Sequence, residues 1–451
     1  MRELVKDLKP RKKEVVRESS REFIGFSLLE TMLLNNRSQK NLDELKRAYT
    51  DMLERASRMQ TSRDQAFKVV KLVFGPDLIN YSVTPSMVIE KSYNFLSELR
   101  LPSERDASFL DFIEYKSTNL FIFAIFIIDL AKFFNYHDFS IFSTPRGLVL
   151  QIGDTFLAVS TGLMTYNQDE VEINLKIHLD EDAFWIPSSL VRPWSLLYLA
   201  EKCIKKEDRF IYYRKALALL LTQEEELNTG GSIDDRLNRS LSGLYAEVGF
   251  GLFECGELNL ASEAIRKAYE LNPTDAELLV ILACIYITQN LFEETHTLLK
   301  QAYDRNVKNQ NLCFLLGVLE GTLNKDLKKA NNYFSEARSL MANPMEALDE
   351  DLIFIALRVL REFDNSAKVV NQMRKIFADS PVSLLQLAHL FGGLGKYEEA
   401  LACCEQCLQG SYVDSEVYEI MAAALSRLGR VEAARESLFL ARELKQRKKP
   451  A

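Results

Sequence analysis

The chain has 451 residues, 47% hydrophobic and 27% charged, enough to bury a core in two or three domains, or in one domain plus a repeat array. A formal charge of −8 argues against a dominant nucleic-acid role, which shows as a basic domain. With only 11 Pro and 18 Gly the composition favours helices over a sandwich or disorder, and the 7 Cys, odd in number and without disulfide spacing, fit reduced thiols in a cytosol.

MRELVKDLKPRKKEVVRESS, residues 1–20, is charged and lacks the apolar stretch of a signal peptide. Acidic residues are interleaved around Lys9–Lys13, so this cluster reads as a solvated helix start; the competing reading is peripheral docking on an acidic membrane surface. Apolar residues recurring at three and four positions predict helices over FIGFSLLETMLL, NLDELKRAYTDMLERASRM and QAFKVVKLVF, until Phe74-Gly75-Pro76 breaks the pattern. The most apolar stretch, YKSTNLFIFAIFIIDLAKFFNY (115–136), is too short for a membrane span. Its uninterrupted run, Leu120–Ile128, is followed by Asp129 and Lys132, whereas a span needs about 20 residues. It is a buried core helix or the helix of an active site. The period then changes to two: FSIFS (139–143), GLVLQIG (147–153) and TFLAVST (155–161) predict strands, with a fourth over VEINLKIHL (171–179).

An apolar helix followed by these strands resembles the transglutaminase-like fold, and more narrowly the SirB1-type bacterial proteins, in which that domain precedes helical repeats. The resemblance covers roughly residues 60–185 and places Asn119 correctly, but the family's nucleophilic Cys falls on Leu120. Its Gly-His strand falls on TPRGLVLQIG, which has no His, and its acidic position near Ala158 to Ser160, which has no carboxylate. The chemistry needs a thiolate, a His base and a group orienting the His. No cysteine precedes Cys203, and neither His137 nor His178 has a nucleophile beside it in the sequence. We therefore expect no catalytic residues; the alternative is a hydrolase or transferase with an unconventional nucleophile, such as Ser117, Ser143 or Ser160.

A repeat occupies the second half. GLFECGELNLASEAIRKAYELNP (251–273), with Gly249 just before it, sets Gly249, Gly256, Ala261, Ala268 and Pro273 in one phase. A shift of 34 finds Ala283, Tyr286, Leu299 and Ala302; the next, with one residue inserted, finds Gly317, Ala330, Phe334 and Ala337. The phase returns over 381–414 and 415–448, while 345–380 is weaker and 190–223, with Trp194 and Ala216, is degenerate. This array resembles the tetratricopeptide (TPR) family, in which helical hairpins stack to bury stripes that none buries alone. The expected fold is mainly α, a TPR α-solenoid preceded by a small α+β transglutaminase-like domain. Its divisions are a helical region over 1–60, the degenerate domain over 61–189, a degenerate repeat and linker over 190–240, and the TPR superhelix over 241–448.

Cys404 and Cys407 form a CxxC, but zinc normally needs four ligands and no second pair exists, so they are expected in the core, with no metal and no cofactor. The resemblance implies a concave face for protein partners. Its positions fall on Phe250, Phe253, Val280, Cys284, Ile287, Phe314, Val318 and Leu385, an apolar set suited to an apolar or amphipathic segment. The bland alternative is that tight coiling buries this face against itself. The function expected is a cytoplasmic, non-catalytic scaffold in a bacterial assembly for secretion, envelope or motility, without nucleic acid and with at most peripheral membrane contact.

Overall fold

The computed structural model describes residues 23–24, 42–60, 87–92, 94, 120–145, 147–159, 163–165, 168–179, 183–230, 234–341, 350–410 and 412–447. It is mainly helical with one small sheet, and it divides into two units, Met1–Glu257 and Leu258–Ala451. Residues 241–257, expected in the array, fall in the first unit. The helices expected over 23–34 and 65–74 lie outside the described residues, apart from 23–24.

In the first unit α1 (Leu42–Ser57) buries Leu45, Tyr49, Met52, Leu53 and Ala56, the stripe that its apolar spacing predicts. α2 (Leu120–Phe133) carries the opening apolar run, and every residue from Phe121 to Ala131 is buried. A helix apolar on all sides belongs in a core. Its one carboxylate, Asp129, is held by the Ile24 N–H at 2.8 Å and the Tyr49 hydroxyl at 2.9 Å. The three strands expected over 139–161 are present as β1 (Phe139–Thr144), β2 (Gly147–Ile152) and β3 (Thr155–Ala158). With β4 (Leu163–Thr165) and β5 (Phe184–Pro187) they form an antiparallel sheet in the order β4-β3-β2-β1-β5. Opposed positions alternate between faces. Ile141, Leu150 and Leu157 line one; Phe142, Val149 and Ala158 line the other.

The strand expected over 171–179 is instead α3 (Gln168–Leu175) followed by an irregular exit. Val171 and Leu175, one helical turn apart, are its buried pair and join the cluster of Phe142, Val149 and Phe156. Asp169 and Glu170 occupy the first turn, where the helix dipole favours acids, and Glu170 accepts from the Thr165 hydroxyl. Helical burial at a four-residue spacing outweighs the β propensity of the segment.

Three helices complete the unit: α4 (Val191–Lys202), α5 (Lys206–Gly230) and α6 (Asp235–Glu254). α4 and α5 form a hairpin at the degenerate repeat, with Trp194 and Ala216 buried. α6 meets β5, where the Ser240 hydroxyl donates to the Trp185 carbonyl at 2.6 Å. The Arg236 guanidinium lies 4.8 Å from the Trp185 ring centre.

The second unit opens with α7 (Leu258–Leu271) and continues as five consecutive pairs of helices. These are α8 (Ala276–Thr288) with α9 (Phe292–Asp304), and α10 (Gln310–Thr322) with α11 (Leu327–Leu340). Next come α12 (Glu350–Arg361) with α13 (Ser366–Ile376), and α14 (Pro381–Gly393) with α15 (Tyr397–Gln409). The last is α16 (Ser415–Arg427) with α17 (Val431–Arg447). The repeat phase recurs in the local chemistry. Asp275, Asn309, Ser380 and Asp414 each cap a first helix by accepting a backbone N–H. The turns inside hairpins place Asn290, Lys325, Gly395 and Gly429 in the left-handed region, which glycine occupies without steric cost. Ala268 and Ala302, expected at close helix contacts, are buried.

Candidate partner-binding face

Each residue expected on the concave face lies on a first helix: Phe250 and Phe253 on α6, Val280, Cys284 and Ile287 on α8, Phe314 and Val318 on α10, Leu385 on α14. Phe250 is 47% exposed, while Phe253 and Cys284 are half-buried. Val280, Ile287, Phe314, Val318 and Leu385 are buried, so the expectation of a bare apolar lining is corrected for these five.

The cause is a closure among first helices. α8, α10 and α12 all touch one another, although α8 and α12 are two repeats apart. α10 is thereby enclosed, and every residue from Leu312 to Thr322 is buried. Phe314 lies 6.0 Å from Phe334 and 6.4 Å from Phe377, ring centre to ring centre, inside one continuous core that runs from Leu279 to Ala434. Tight coiling covers the face.

Two arginines in the last turn of α12 fasten this arrangement. Arg358 Nε donates to the Ile287 carbonyl at 3.2 Å, and its Nη2 donates to the Thr288 carbonyl at 2.9 Å and to Asn290 Oδ1 at 3.1 Å. Arg361 reaches the other way and donates to the Gly393 carbonyl from Nε at 3.3 Å and Nη2 at 3.1 Å. Both satisfy carbonyls that helix ends leave without intrahelical donors, at the termini of α8 and α14 where the dipole favours a cation. Sequence reading missed them because they lie in the weakest repeat; two basic residues three apart at a helix end were the available signal. Phe354, one turn before Arg358, is 70% exposed.

Behind the closure sits a buried carboxylate, Glu320 of α10. His296 Nε2 is 2.6 Å from Glu320 Oε2, Asn324 donates to the same oxygen at 3.0 Å, and Lys329 Nζ is 3.6 Å from Oε1. A buried charge persists only when paired, and these partners come from α9, α11 and the turn between α10 and α11. The cluster ties neighbouring hairpins together.

Cys403, Cys404 and Cys407 are buried on α15; burial pushes Cys404 up to about 12 and Cys407 up to about 11, which keeps both as thiols. Among the described residues no group of three or more His, Cys, Asp or Glu is placed to hold a metal ion, and no helix is long and apolar enough to cross a membrane. In the first unit Leu120 begins α2, Gly147–Ile152 is β2, and Ala158 is a buried residue of β3. His137 is exposed, and so is His178, whose Nδ1 is 3.4 Å from Glu172 Oε2. Ser117 and Ser160 lie outside the described residues.

Residues 382–409, the hairpin of α14 and α15, match the tetratricopeptide repeat family. The chain carries a TPR there. Similar solved structures include a tetratricopeptide repeat protein from Parabacteroides merdae, 14% identical, with a TM-score of 0.30, over 56% of this chain and 93% of that one. MamA MSR-1 is 14% identical with a TM-score of 0.27, over 46% and 98%. A thermophilic TPR protein of Thermus thermophilus, TTC0263, is 18% identical with a TM-score of 0.26, over 46% and 93%. TM-scores this low fall short of a shared overall fold. No curated protein matches the chain.

Proposed function

We propose that this protein is a non-catalytic scaffold that binds protein partners through its helical repeats, in the cytoplasm, as part of a bacterial assembly serving secretion, envelope or motility. The observation that supports this most is the array itself: successive helix pairs, four of which repeat the same cap and left-handed turn, and one of which matches the TPR family. Stacked repeats offer long surfaces, and protein recognition is what such surfaces suit. Because five of the apolar positions are core, partner contacts are assigned to side chains that remain accessible, Phe250 in the first unit and, separately, Phe354 in the second. These suit an apolar or amphipathic segment of a partner. No cofactor, metal or nucleic acid enters this reading.

Residues 61–189, within the first unit, are proposed as a degenerate transglutaminase-like domain without activity. The support is chemical: the first 202 residues contain no thiol, and the position of the family's nucleophile is Leu120. Amidase, protease and transamidation assays should stay at background; stoichiometric labelling of Ser117 or Ser160 by a serine-directed probe would overturn this.

Affinity purification of the whole chain from its native cell, with mass spectrometry, tests the scaffold reading. Phe250→Asp and Phe354→Asp should lose specific partners while leaving the melting temperature nearly unchanged. Retention of every partner by both variants would refute the assigned contacts.

A further inference from the structure

At one place α17 departs from the other second helices. Five positions after a buried small residue, Lys300 follows Thr295 on α9, Ser335 follows Ala330 on α11, and Glu405 follows Ala400 on α15. On α17 the same step from Ala434 reaches Phe439, 62% exposed, with Leu438 and Leu440 also exposed beside it. Ala434, Ser437 and Ala441 form the buried stripe of α17, which packs on α16. Helical geometry puts Phe439 opposite that stripe, with Glu436 and Arg442 to either side of it and the two leucines on the flanks. The order of side chains around the ring is self-complementary. Read outward in both directions, Leu438 mirrors Leu440, Glu436 mirrors Arg442, and Arg435 mirrors Glu443. Among the described residues neither Glu436 nor Arg442 forms an ion pair, and six positions apart on one helix they cannot reach each other.

We infer that the protein forms a homodimer through α17, two copies packing antiparallel across a two-fold axis at Phe439. Across such an axis each residue stands opposite its mirror on the second copy. Ring then meets ring, Leu438 meets Leu440, and Glu436 and Arg435 meet Arg442 and Glu443, every charge facing its opposite. The apolar centre supplies the attraction, and the charges fix the direction: a parallel pair about the same ring would face Glu436 with Glu436 and Arg442 with Arg442. One helix face is smaller than the about 800 Å² per partner of a standard interface, so the association is weak and reversible. This inference stands apart from the scaffold reading above, because it names a second copy of the chain and uses neither Phe250 nor Phe354.

Sedimentation equilibrium of the full chain, from about 1 to 100 μM, suits a contact of this size. The wild type should pass from monomer to dimer over that range. Phe439→Asp should weaken the dimer about tenfold or more, with the circular dichroism spectrum unchanged because the side chain is exposed. Glu436→Arg alone sets like charges across the axis and should weaken it too. Adding Arg442→Glu to that variant restores the opposition and should return the wild-type dissociation constant. Phe354→Asp, on α12, is the control and should leave the equilibrium as it is. A monomer at every concentration, or a dimer that survives Phe439→Asp or Glu436→Arg, would overturn the proposal. So would a dimer lost with Phe354→Asp, or a paired reversal that restores nothing. Growth beyond the dimer would overturn it as well, since a two-fold interface closes on itself.

Discussion

Gly317 of α10 lies so close to Phe334 of α11 that a Cβ built on it would stand 2.6 Å from the ring carbon Cε1. The missing side chain lets the two helices of this hairpin close, which is why the repeat holds a glycine at that phase. Gly317→Ala gains about 1 kcal/mol of helix propensity but loses about 1–3 kcal/mol by overpacking, so a net loss of stability is expected. Gly392, on α14, has nothing within 4 Å of its would-be Cβ. Gly392→Ala should therefore raise stability by up to about 1 kcal/mol. Urea denaturation of the two variants checks this; shifts of the same sign would contradict the packing.

Phe314 and Phe250 were both expected on one surface, and their substitution by Asp now separates them. Phe314→Asp places an unpaired carboxylate in an enclosed aromatic cluster and should cost more than about 4 kcal/mol, enough to unfold much of the second unit. Phe250→Asp, at a side chain nearly half exposed, should change stability by less than about 1 kcal/mol. Circular dichroism melts of the two proteins decide it.

Tyr49 holds Asp129 in the middle of the first unit, and Tyr49→Phe removes a donor from a buried carboxylate oxygen, at a cost of about 1–3 kcal/mol. Burial, followed by the Asp129 charge and hydrogen bond, holds the Tyr49 phenol well above its usual range. A raised value means that the folded chain keeps a proton which the unfolded chain loses above about pH 10. The stability difference between wild type and Tyr49→Phe should accordingly be constant from about pH 6 to 9 and shrink above about pH 10. A difference that grew with alkalinity would contradict the assignment.

Acid acts at another junction. Arg338 of α11 grips Asp379, beyond the end of α13, through Nε to Oδ1 at 3.2 Å and Nη2 to Oδ2 at 2.9 Å. The Arg338 hydrogen bond holds the Asp379 carboxyl below its usual range. Its contribution is therefore present above about pH 4 and lost as the pH falls through the lowered value. Asp379 is largely exposed, so the pair contributes at most about 1 kcal/mol. Arg338→Gln should be less stable than wild type at pH 7, and the gap should narrow by pH 2.5; an equal gap at both would sink the idea.

Four of the helix pairs were legible in the sequence because each repeats the same local requirements: a small residue at Ala302 or Gly317, a left-handed turn at Gly395 or Gly429, a polar cap before a first helix. The strands β1 to β3 were legible by their period of two. Burial of α10 was not, because it depends on how far successive hairpins rotate, and that angle is set by contacts between residues distant in sequence, as when Arg358 meets Thr288. β5 escaped because four residues carry too little periodicity, and α3 because Val171 and Leu175 fit a strand and a helix almost equally well.

The enclosure of α10 bears on how this unit folds. In a linear array each repeat leans on its neighbours alone, stability is close to a sum along the chain, and unfolding can creep inward from an end. α10 draws its burial from α8, α9, α11, α12 and α13 at once. Taking away any one of them turns part of a largely apolar helix, and for α9 or α11 a partner of its buried Glu320, out of its packing. The stretch from α8 to α13 is thus a single cooperative block inside a repetitive chain, one that cannot be shortened a hairpin at a time. A chain ending after α11 would keep every local signal of its repeats and still lack the three-pair assembly that lets α10 exist.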